Sequence, residues 1–296
     1  MGEYEKVQLL PGVSAKRKKR EQDKDRLIPH RKNGLVWLTA PQLDAQDWLI
    51  HGFSTRLGGV SEGEIGSMNL SFTRGDREEN VRENYRRLGE AVGFDPRRLV
   101  LTFQTHTSNV RIVTAEDAGK GYDRERAYVD VDGMVTDVPG LTLACYGADC
   151  MTLLAADPVR RVVGCAHSGW RGTVADIAGN LVRTMAEHYG SDPGDILAAI
   201  GPSICKDCYE VGREVIDCFA SAYPEQTHAD LFRQNDNGAY QLDLWQACRL
   251  NFERAGISPE HICVTDYCTM CNPQLFFSHR IQKGRQTNQA ALIGII

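Results

Sequence analysis

The chain has 296 residues, of which 42% are hydrophobic and 25% are charged, as in an ordinary globular protein of one large domain or two small ones. Its 34 basic and 39 acidic residues give a net charge of −5, which argues against a nucleic-acid binder held by bulk charge. No apolar run is long enough to span a membrane and the first residues do not resemble a secretory signal, so we expect a cytoplasmic protein without membrane partners, its ten cysteines kept reduced.

Residues 1–33 have the composition of an extension. Residues 16–26 form a dense run of charges with almost no apolar side chain, which predicts a disordered or loosely attached segment. The basic cluster at 16–20 is of the kind that contacts nucleic acid, but acidic residues follow it at once, and we expect no nucleic-acid partner. Residues 34–296 contain no repeat, low-complexity stretch or linker, which predicts one compact catalytic domain.

Helices and strands are both predicted in this domain. Apolar residues at helical spacing predict helices over residues 79–92, 174–189, 211–222 and 244–255. Thr173 and Asp176 form a T-x-x-D pattern that predicts the start of the second helix, and Asp243 is the predicted cap of the fourth. Apolar and β-branched runs predict strands over residues 35–39, 99–103, 109–114, 141–146, 151–156, 161–167, 196–201, 262–266, 275–278 and 291–295.

The order of these elements favours a particular fold class. Strands and helices are mixed without a strict alternation, which argues against a doubly wound parallel sheet. The sequence predicts an α/β (α+β) fold, a single-domain layered α/β/α sandwich with a mixed sheet.

Residues 150–167 predict a β-hairpin that carries chemistry. Two apolar strands flank the tetrapeptide D-P-V-R at 157–160, and proline after aspartate favours a tight turn. If residues 157 and 160 close the turn, Cys150 lies directly opposite His167, with Cβ atoms about 5 Å apart on one face of the sheet. A thiol and an imidazole so placed could share a metal ion or act as nucleophile and base. A bulge would break this register.

His106, in the sequence Q-T-H-T after the predicted strand 99–103, is a third candidate ligand. Together with Cys150 and His167 it makes a His₂Cys set, which suits Zn²⁺ and leaves one position open for water or substrate. Cu²⁺ can bind the same donors. Each of the three residues, taken alone, is equally well explained as an ordinary polar or buried side chain.

The segment after His167 is rich in glycine and polar residues. It leads into the helix predicted from residue 174, whose N-terminus offers free backbone N–H groups to an anion such as phosphate. A turn in which the glycines only satisfy backbone angles is the alternative. The candidate phosphate-binding residues of this segment are Ser168, Gly169, Arg171, Gly172 and Thr173.

Two C-x-x-C pairs, Cys205/Cys208 and Cys268/Cys271, form a separate pattern. Two such pairs can make a Cys₄ zinc site. The second pair begins 60 residues after the first ends, far more than a compact zinc ribbon needs, so the fold would have to bring them together. Packing thiols or a redox pair are the alternatives.

Nine motifs, in order and covering residues 35–296, resemble those of the YfiH/YlmD family. This family has carried the labels "laccase domain" and "multicopper polyphenol oxidase", and its human relative is FAMIN. The motifs are HGFSTRLGGVS (51–61), NLSF (69–72), QTHT (104–107), DGMVT (132–136), ADC (148–150), AHSGWRGT (166–173), IGPSIC (200–205), CYEVG (208–212) and FFSHR (276–280).

The resemblance implies a YfiH-type single-domain fold and a zinc site at the matching residues His106, Cys150 and His167. It also implies purine nucleoside phosphorolysis, in which adenosine, inosine, guanosine or methylthioadenosine reacts with phosphate to give free base and a ribose 1-phosphate. Adenosine deamination accompanies this activity. Copper-dependent phenol oxidation is the older label, and some bacterial members are linked to the editing of peptidoglycan precursors.

The implied chemistry suggests roles for further residues. Phosphorolysis needs phosphate beside the sugar carbon, for which Arg56 and Arg171 are candidates, although a surface salt bridge would explain Arg56 as well. Deamination needs an activated water and a carboxylate that moves protons, for which Asp149 is the candidate. A turn residue is the other explanation of Asp149. Further polar candidates for substrate contacts are Gln104, Asn69 and Arg280.

Two other enzyme classes remain open. Copper oxidases of the cupredoxin fold carry H-x-H pairs, and none of the eight histidines here forms one, so phenol oxidation is expected only as a side reaction of copper-loaded protein. A Cys–His hydrolase or amidase acting on peptidoglycan precursors would use Cys150 as nucleophile and His167 as base. The expected partners are purine nucleosides and phosphate, and the expected state is a monomer or homodimer.

Overall fold

The computed structural model describes residues 3–19, 26–285 and 287–296. The helices of these residues are α1 (Pro41–Asp44), α2 (Glu78–Val92), α3 (Trp170–Val174), α4 (Ile177–Tyr189), α5 (Arg213–Ala222), α6 (His228–Leu231), α7 (Leu244–Arg254) and α8 (His279–Gln282). The strands are β1 (Tyr4–Leu10), β2 (Val13–Lys18), β3 (Ile28–Lys32), β4 (Leu35–Thr39), β5 (Leu49–Ser54), β6 (Leu99–Leu101), β7 (Val110–Ile112), β8 (Gly133–Thr136), β9 (Thr142–Gly147), β10 (Met151–Asp157), β11 (Val162–Ser168), β12 (Leu197–Ile200), β13 (Glu210–Val211), β14 (Phe232–Gln234), β15 (Tyr240–Leu242), β16 (Ile262–Val264) and β17 (Gln289–Ile295).

Two six-stranded sheets form the centre of the molecule. Their strand orders are β16-β12-β10-β11-β8-β7 and β3-β4-β5-β17-β9-β6. Both sheets are mixed, because β12 pairs with β16, β7 with β8 and β6 with β9 in parallel, whereas the other neighbours are antiparallel.

Buried side chains show how the layers stack. Along β10, Leu153 belongs to the core under α4, α5 and α7, while Leu154 belongs to the core between the two sheets. On the second sheet, Ala291 faces the first sheet and Leu292 packs towards α2. Strands buried on both faces have nearly continuous apolar sequences. The predicted layered α/β fold with a mixed sheet is confirmed, and its sheet layer is double.

The helix predictions differ from the structure mainly at one start. Helix α2 matches its prediction within one residue, and the Asp243 side chain accepts a hydrogen bond from the Gln246 N–H at the start of α7, as predicted. The start predicted at Thr173 is wrong. Asp176 is the cap, its side chain accepts from the Gly179 N–H, and the residues before it form the separate short helix α3.

The N-terminal residues that the structure describes are not a disordered extension, and that prediction is wrong for them. Strands β1 and β2 form an antiparallel hairpin in which Leu9 and Ala15 are buried with Tyr267 in the core between the sheets. The backbone of β2 also bonds to the domain, since the Lys18 N–H donates to the Asp266 carbonyl at 2.8 Å. Residues 20–25, the middle of the charge run, lie outside the described residues.

The predicted domain start falls between two paired strands, and one predicted strand is absent from the described residues. Residue 34, the predicted start of the domain, lies in the turn between the paired strands β3 and β4. Residues 275–278, predicted as a strand, form no strand in the structure. No helix within the described ranges combines the length and apolarity that a bilayer crossing needs.

Candidate metal centre and cavity

The β10–β11 hairpin has a different register from the predicted one. Thr152 lies opposite His167, and four residues, 158–161, connect the strands, with Arg161 at a positive φ of 54°. The predicted direct opposition of Cys150 and His167 is therefore wrong by two residues. Because side chains alternate with a period of two, a shift of two leaves both residues on the same face. The thiol and the imidazole still converge.

His106 reaches this hairpin from the loop after β6. It has a positive φ of 67°, a conformation uncommon outside glycine that needs support from its surroundings. The buried Asp132 carboxylate provides that support. It accepts hydrogen bonds from the backbone N–H groups of Thr105, His106 and Thr107 at 3.0 to 3.1 Å.

The same carboxylate orients His167. Its Oδ1 lies 2.8 Å from the His167 Nδ1, which directs the other ring nitrogen towards Cys150. Donor atoms of His106, Cys150 and His167 all lie within 4.8 Å of one another. Two imidazoles, one thiolate and a carboxylate behind one histidine are a donor set that fits zinc.

Gly169 allows this approach. A Cβ atom at this position would lie 2.7 Å from the His106 Cδ2, closer than Cβ atoms come to their neighbours, and 3.2 Å from the Cys150 Sγ, which is a tight contact. The glycine therefore has a steric role in the centre itself.

Burial and hydrogen bonding shift the ionisation of these groups. Burial raises the pKa of the Cys150 thiol, but hydrogen bonds from His106 and His167 outweigh it and lower the pKa to about 6. Burial lowers the pKa of His167, but hydrogen bonds to Asp132 and Cys150 raise it to about 10. Burial raises the pKa of Asp132, and the bonds from His167, Thr105 and Thr107 bring it down to about 2. Metal ligands must be deprotonated. A metal ion bound by the Cys150 thiolate and the His167 ring would therefore displace a proton from this pair.

A cavity of about 690 Å³ opens over the centre, within the size range of small-molecule sites. His106, Cys150 and His167 form part of its wall. Aromatic side chains of Phe72, Phe103, Tyr146 and Tyr209 and the guanidinium groups of Arg74, Arg126 and Arg280 line the rest. Such a wall offers flat apolar faces and positive charge to one ligand.

Three of the predicted polar residues, Gln104, Asp149 and Arg280, line this cavity. The Gln104 amide pairs with the Tyr146 backbone, donating to its carbonyl and accepting from its N–H, both at 2.8 Å. Asp149, at a φ of 81°, accepts bonds from the hydroxyls of Thr269 and Ser278 and from the Arg280 N–H. Both carboxylate oxygens are thus engaged, which favours a positioning role for Asp149 over a proton shuttle.

Arg56 and Asn69 do not line the cavity. The Arg56 guanidinium donates to the carbonyls of Gly66 and Pro273 and stacks on Phe277, 4.7 Å from the ring centre. Asn69 is fully buried, and its amide organises a turn by bonding the backbone of Ser71. Neither of them is brought to the metal centre.

The predicted phosphate segment also faces elsewhere. The hydroxyls of Ser168 and Thr173 lie 2.9 Å apart in the protein interior, and Thr173 donates to the Gly169 carbonyl. Arg171 is exposed and stacks on Trp170 at 4.2 Å. Gly172 packs under the Thr107 carbonyl. Of residues 168–173, Trp170 alone lines the cavity.

Sequence reasoning missed Asp132 and the aromatic wall. Asp132 begins the D-G-M-V-T motif directly before β8, but nothing in the sequence links it to histidines 26 and 35 residues away. A buried carboxylate behind a ligating histidine is a common feature of zinc sites, and that rule was the available signal.

Fold and site together define a layered α/β protein with three potential metal ligands at a cavity of small-molecule size. The family model described as "Multi-copper polyphenol oxidoreductase laccase" matches residues 50–296. The chain belongs to this laccase-like family, which includes the YfiH and YlmD proteins.

Named relatives give the comparison more detail. "Purine nucleoside phosphorylase YlmD" of Geobacillus stearothermophilus is 37% identical over 264 residues, which are 86% of this chain and 96% of that protein. The crystal structure of YlmD from the same organism superimposes with a TM-score of 0.83 at 36% identity, covering 90% of this chain and 97% of the other. "Adenosine deaminase RL5" of an unknown prokaryotic organism is 32% identical over 241 residues, which are 80% of this chain and 91% of that protein.

Proposed function

We propose that this protein is a zinc-dependent purine nucleoside phosphorylase that also deaminates adenosine. The observation that carries the proposal is the convergence of His106, Cys150 and His167 within 4.8 Å at the wall of the cavity. Relatives of similar length named purine nucleoside phosphorylase and adenosine deaminase support the substrate class.

His106, Cys150 and His167 would hold the metal, and Asp132 would keep the His167 ring in place. A zinc ion with three protein ligands supplies Lewis-acid character and activates water. The buried carboxylate raises the basicity of the imidazole that it orients. Asp132 thus sets both the direction and the donor strength of His167.

The aromatic side chains are the proposed contacts of the purine. Phe103 lines the cavity and is 36% exposed, so part of its side chain is accessible to a ligand. Arg126 stacks on the same ring at 4.8 Å and donates to the Thr102 carbonyl at 2.6 Å, which holds the ring in place. A nucleobase stacked on such a ring gains binding energy without its edges being used.

The arginines of the cavity are the proposed phosphate ligands, because the candidate phosphate residues of the 168–173 segment do not line the cavity. The Arg280 backbone N–H donates to Asp149, and its guanidinium donates to the Glu210 carbonyl at 3.1 Å and contacts the Tyr209 ring at 5.3 Å. A phosphate would therefore be bound by the N–H groups of Arg280 that this carbonyl leaves over. Arg74 is exposed at the cavity wall. One guanidinium group can donate two hydrogen bonds to phosphate oxygens. This would bind phosphate and stabilise the charge that develops as the base departs.

A second candidate function rests on the pKa of Cys150. A thiol with a pKa of about 6 beside an imidazole has the properties of a nucleophile–base pair, as in a Cys–His hydrolase or amidase. Copper bound by the same three donors would give phenol oxidation as a side reaction.

The test is chromatography of zinc-loaded protein incubated with inosine, with and without phosphate. We expect hypoxanthine only with phosphate, and its loss in Cys150→Ala. Cys218→Ser, at a half-buried cysteine outside the centre, is the matched control and should retain activity. Absence of base release from inosine, adenosine and methylthioadenosine alike would reject the proposal.

A further inference from the structure

The two C-x-x-C pairs that are distant in sequence meet in the fold. Cys205 and Cys208 follow β12, and Cys268 and Cys271 follow β16. These strands are parallel neighbours, so the loops after them leave the sheet at the same edge. A bridge between Ser203 and Cys268 continues the pairing past the strand ends. Parallel pairing thus closes the separation that made the sequence pattern ambiguous.

The four sulfur atoms converge on one point. All four lie within 4.8 Å of one another, and the Sγ atoms of Cys208 and Cys271 are 3.4 Å apart. A tetrahedral zinc ion with Zn–S bonds of about 2.3 Å would place its sulfurs about 3.8 Å apart. The arrangement therefore needs only small shifts to close around an ion.

The surroundings of the four sulfur atoms include a backbone donor and are largely shielded from solvent. The Cys205 backbone N–H donates to the Cys268 Sγ at 3.3 Å. Cys205 and Cys268 are fully buried, and Cys208 and Cys271 are half-buried. Groups that donate hydrogen bonds to sulfur stabilise its ionised form.

We propose that Cys205, Cys208, Cys268 and Cys271 bind a second zinc ion as a structural tetrathiolate site. Four protein ligands close the coordination sphere of zinc, unlike the three at the cavity, and soft sulfur donors select zinc over calcium or magnesium. The ion would leave no position for substrate, so its role is to hold loops together.

The loops that it would hold contribute to the cavity wall and contact the N-terminal hairpin. Tyr209, next to Cys208, lines the cavity. Thr269, inside the second pair, donates to the Asp149 carboxylate at 2.6 Å. Asp207, inside the first pair, accepts a hydrogen bond from Tyr4 of β1 and lies 3.8 Å from the Lys18 ammonium of β2. Loss of the ion would loosen all three connections.

The test measures zinc per chain by mass spectrometry in a variant that lacks the cavity site, His106→Ala/Cys150→Ala. We expect two zinc ions in the wild type and one in this variant. Adding Cys271→Ser to the variant should remove the remaining ion, whereas adding Cys218→Ser should not. A double variant without zinc would overturn the proposal.

Thiol mapping of the same double variant decides the question even if Cys271→Ser does not fold. We expect the four cysteines to resist N-ethylmaleimide until a strong chelator is added, and then to be alkylated. Their recovery as disulfides in an unreduced digest, or their equal alkylation with and without chelator, would contradict a zinc site.

Discussion

At the scale of single residues, Asp132 connects the two halves of the metal centre. Its carboxylate bonds the His106 loop through backbone N–H groups and the His167 ring through Nδ1. A residue that touches no ligand position thus fixes two of the three ligands. Removing its charge should affect metal affinity more than folding.

We therefore expect Asp132→Asn to weaken zinc binding at the cavity site by about 10- to 100-fold, the usual effect of losing a carboxylate behind a ligating histidine. Competition with a chromophoric chelator measures this affinity. Asp137→Asn, at an exposed residue just beyond β8, is the control and should bind zinc as the wild type does. Unchanged affinity in Asp132→Asn would show that the carboxylate does not support the ligands.

Gly169→Ala tests the steric requirement of the centre. The added methyl group would displace the His106 ring, so we expect weaker zinc binding and lower activity. In Gly194→Ala the new Cβ meets only the Asp192 carboxylate at 3.4 Å, an ordinary contact, and zinc binding should not change. Equal zinc affinity in the two variants would argue against the close approach at Gly169.

The ionisation of Cys150 gives a prediction about pH. In metal-stripped protein the rate of alkylation of this thiol should rise with a midpoint near pH 6, because the thiolate forms above its lowered pKa. His167→Ala removes one of the hydrogen bonds that lower the pKa and should move the midpoint upward. Zinc should block the reaction. A midpoint near 8.5, the value of an unperturbed thiol, would contradict the predicted environment.

The convergence of His106, Cys150 and His167 was predictable in part from the sequence, because the hairpin places Cys150 and His167 on one face. Their support was not. The contacts from Asp132 depend on the positive φ of His106 in its loop. No local sequence pattern predicts that backbone conformation. The charge of Arg56 suggests phosphate binding, but in the fold its guanidinium donates to two backbone carbonyl groups.

At the scale of elements, the N-terminal hairpin shows how a charge run can conceal a strand. Along β1, Val7 and Leu9 alternate with polar residues. In β2, which is rich in basic residues, Ala15 is buried in the core. The polar outer face dominates the composition. The few apolar residues on the inner face decide that the segment packs.

Leu9→Ala should therefore destabilise the protein by about 2–5 kcal/mol, as expected for a fully buried leucine. Gln8→Ala, on the exposed face of the same strand, should change the free energy of unfolding by less than about 0.5 kcal/mol. Urea unfolding of both variants measures the difference. Equal stability would mean that the hairpin does not pack on the domain.

The β10–β11 hairpin illustrates a limit of the same kind. The proline after Asp157 correctly indicated a turn, but its length is four residues and not two. Turn length sets the register, and Arg161 supplies a positive φ that the sequence does not reveal. Because the shift is even, Cys150 and His167 remain on the same face of the sheet.

At the scale of the whole molecule, two mixed sheets packed face to face bring distant loops to one cavity. His106 follows β6 of one sheet, whereas Cys150 and His167 belong to a hairpin of the other. The candidate ligands therefore come from both sheets. Sequence patterns predicted most strands but not their division between sheets, which depends on pairing over long separations.

The dependence of phosphorolysis on the metal of this centre is the most direct test. Protein stripped by a mild chelator would be reloaded with increasing zinc or copper, and phosphate-dependent hypoxanthine release and oxygen uptake with a phenol would be measured in parallel. We expect base release to rise with zinc, to saturate when the His106–Cys150–His167 site is filled, and to be absent in Cys150→Ala. Full base release by the stripped protein, or oxygen uptake with copper in the absence of any base release, would contradict a zinc phosphorylase.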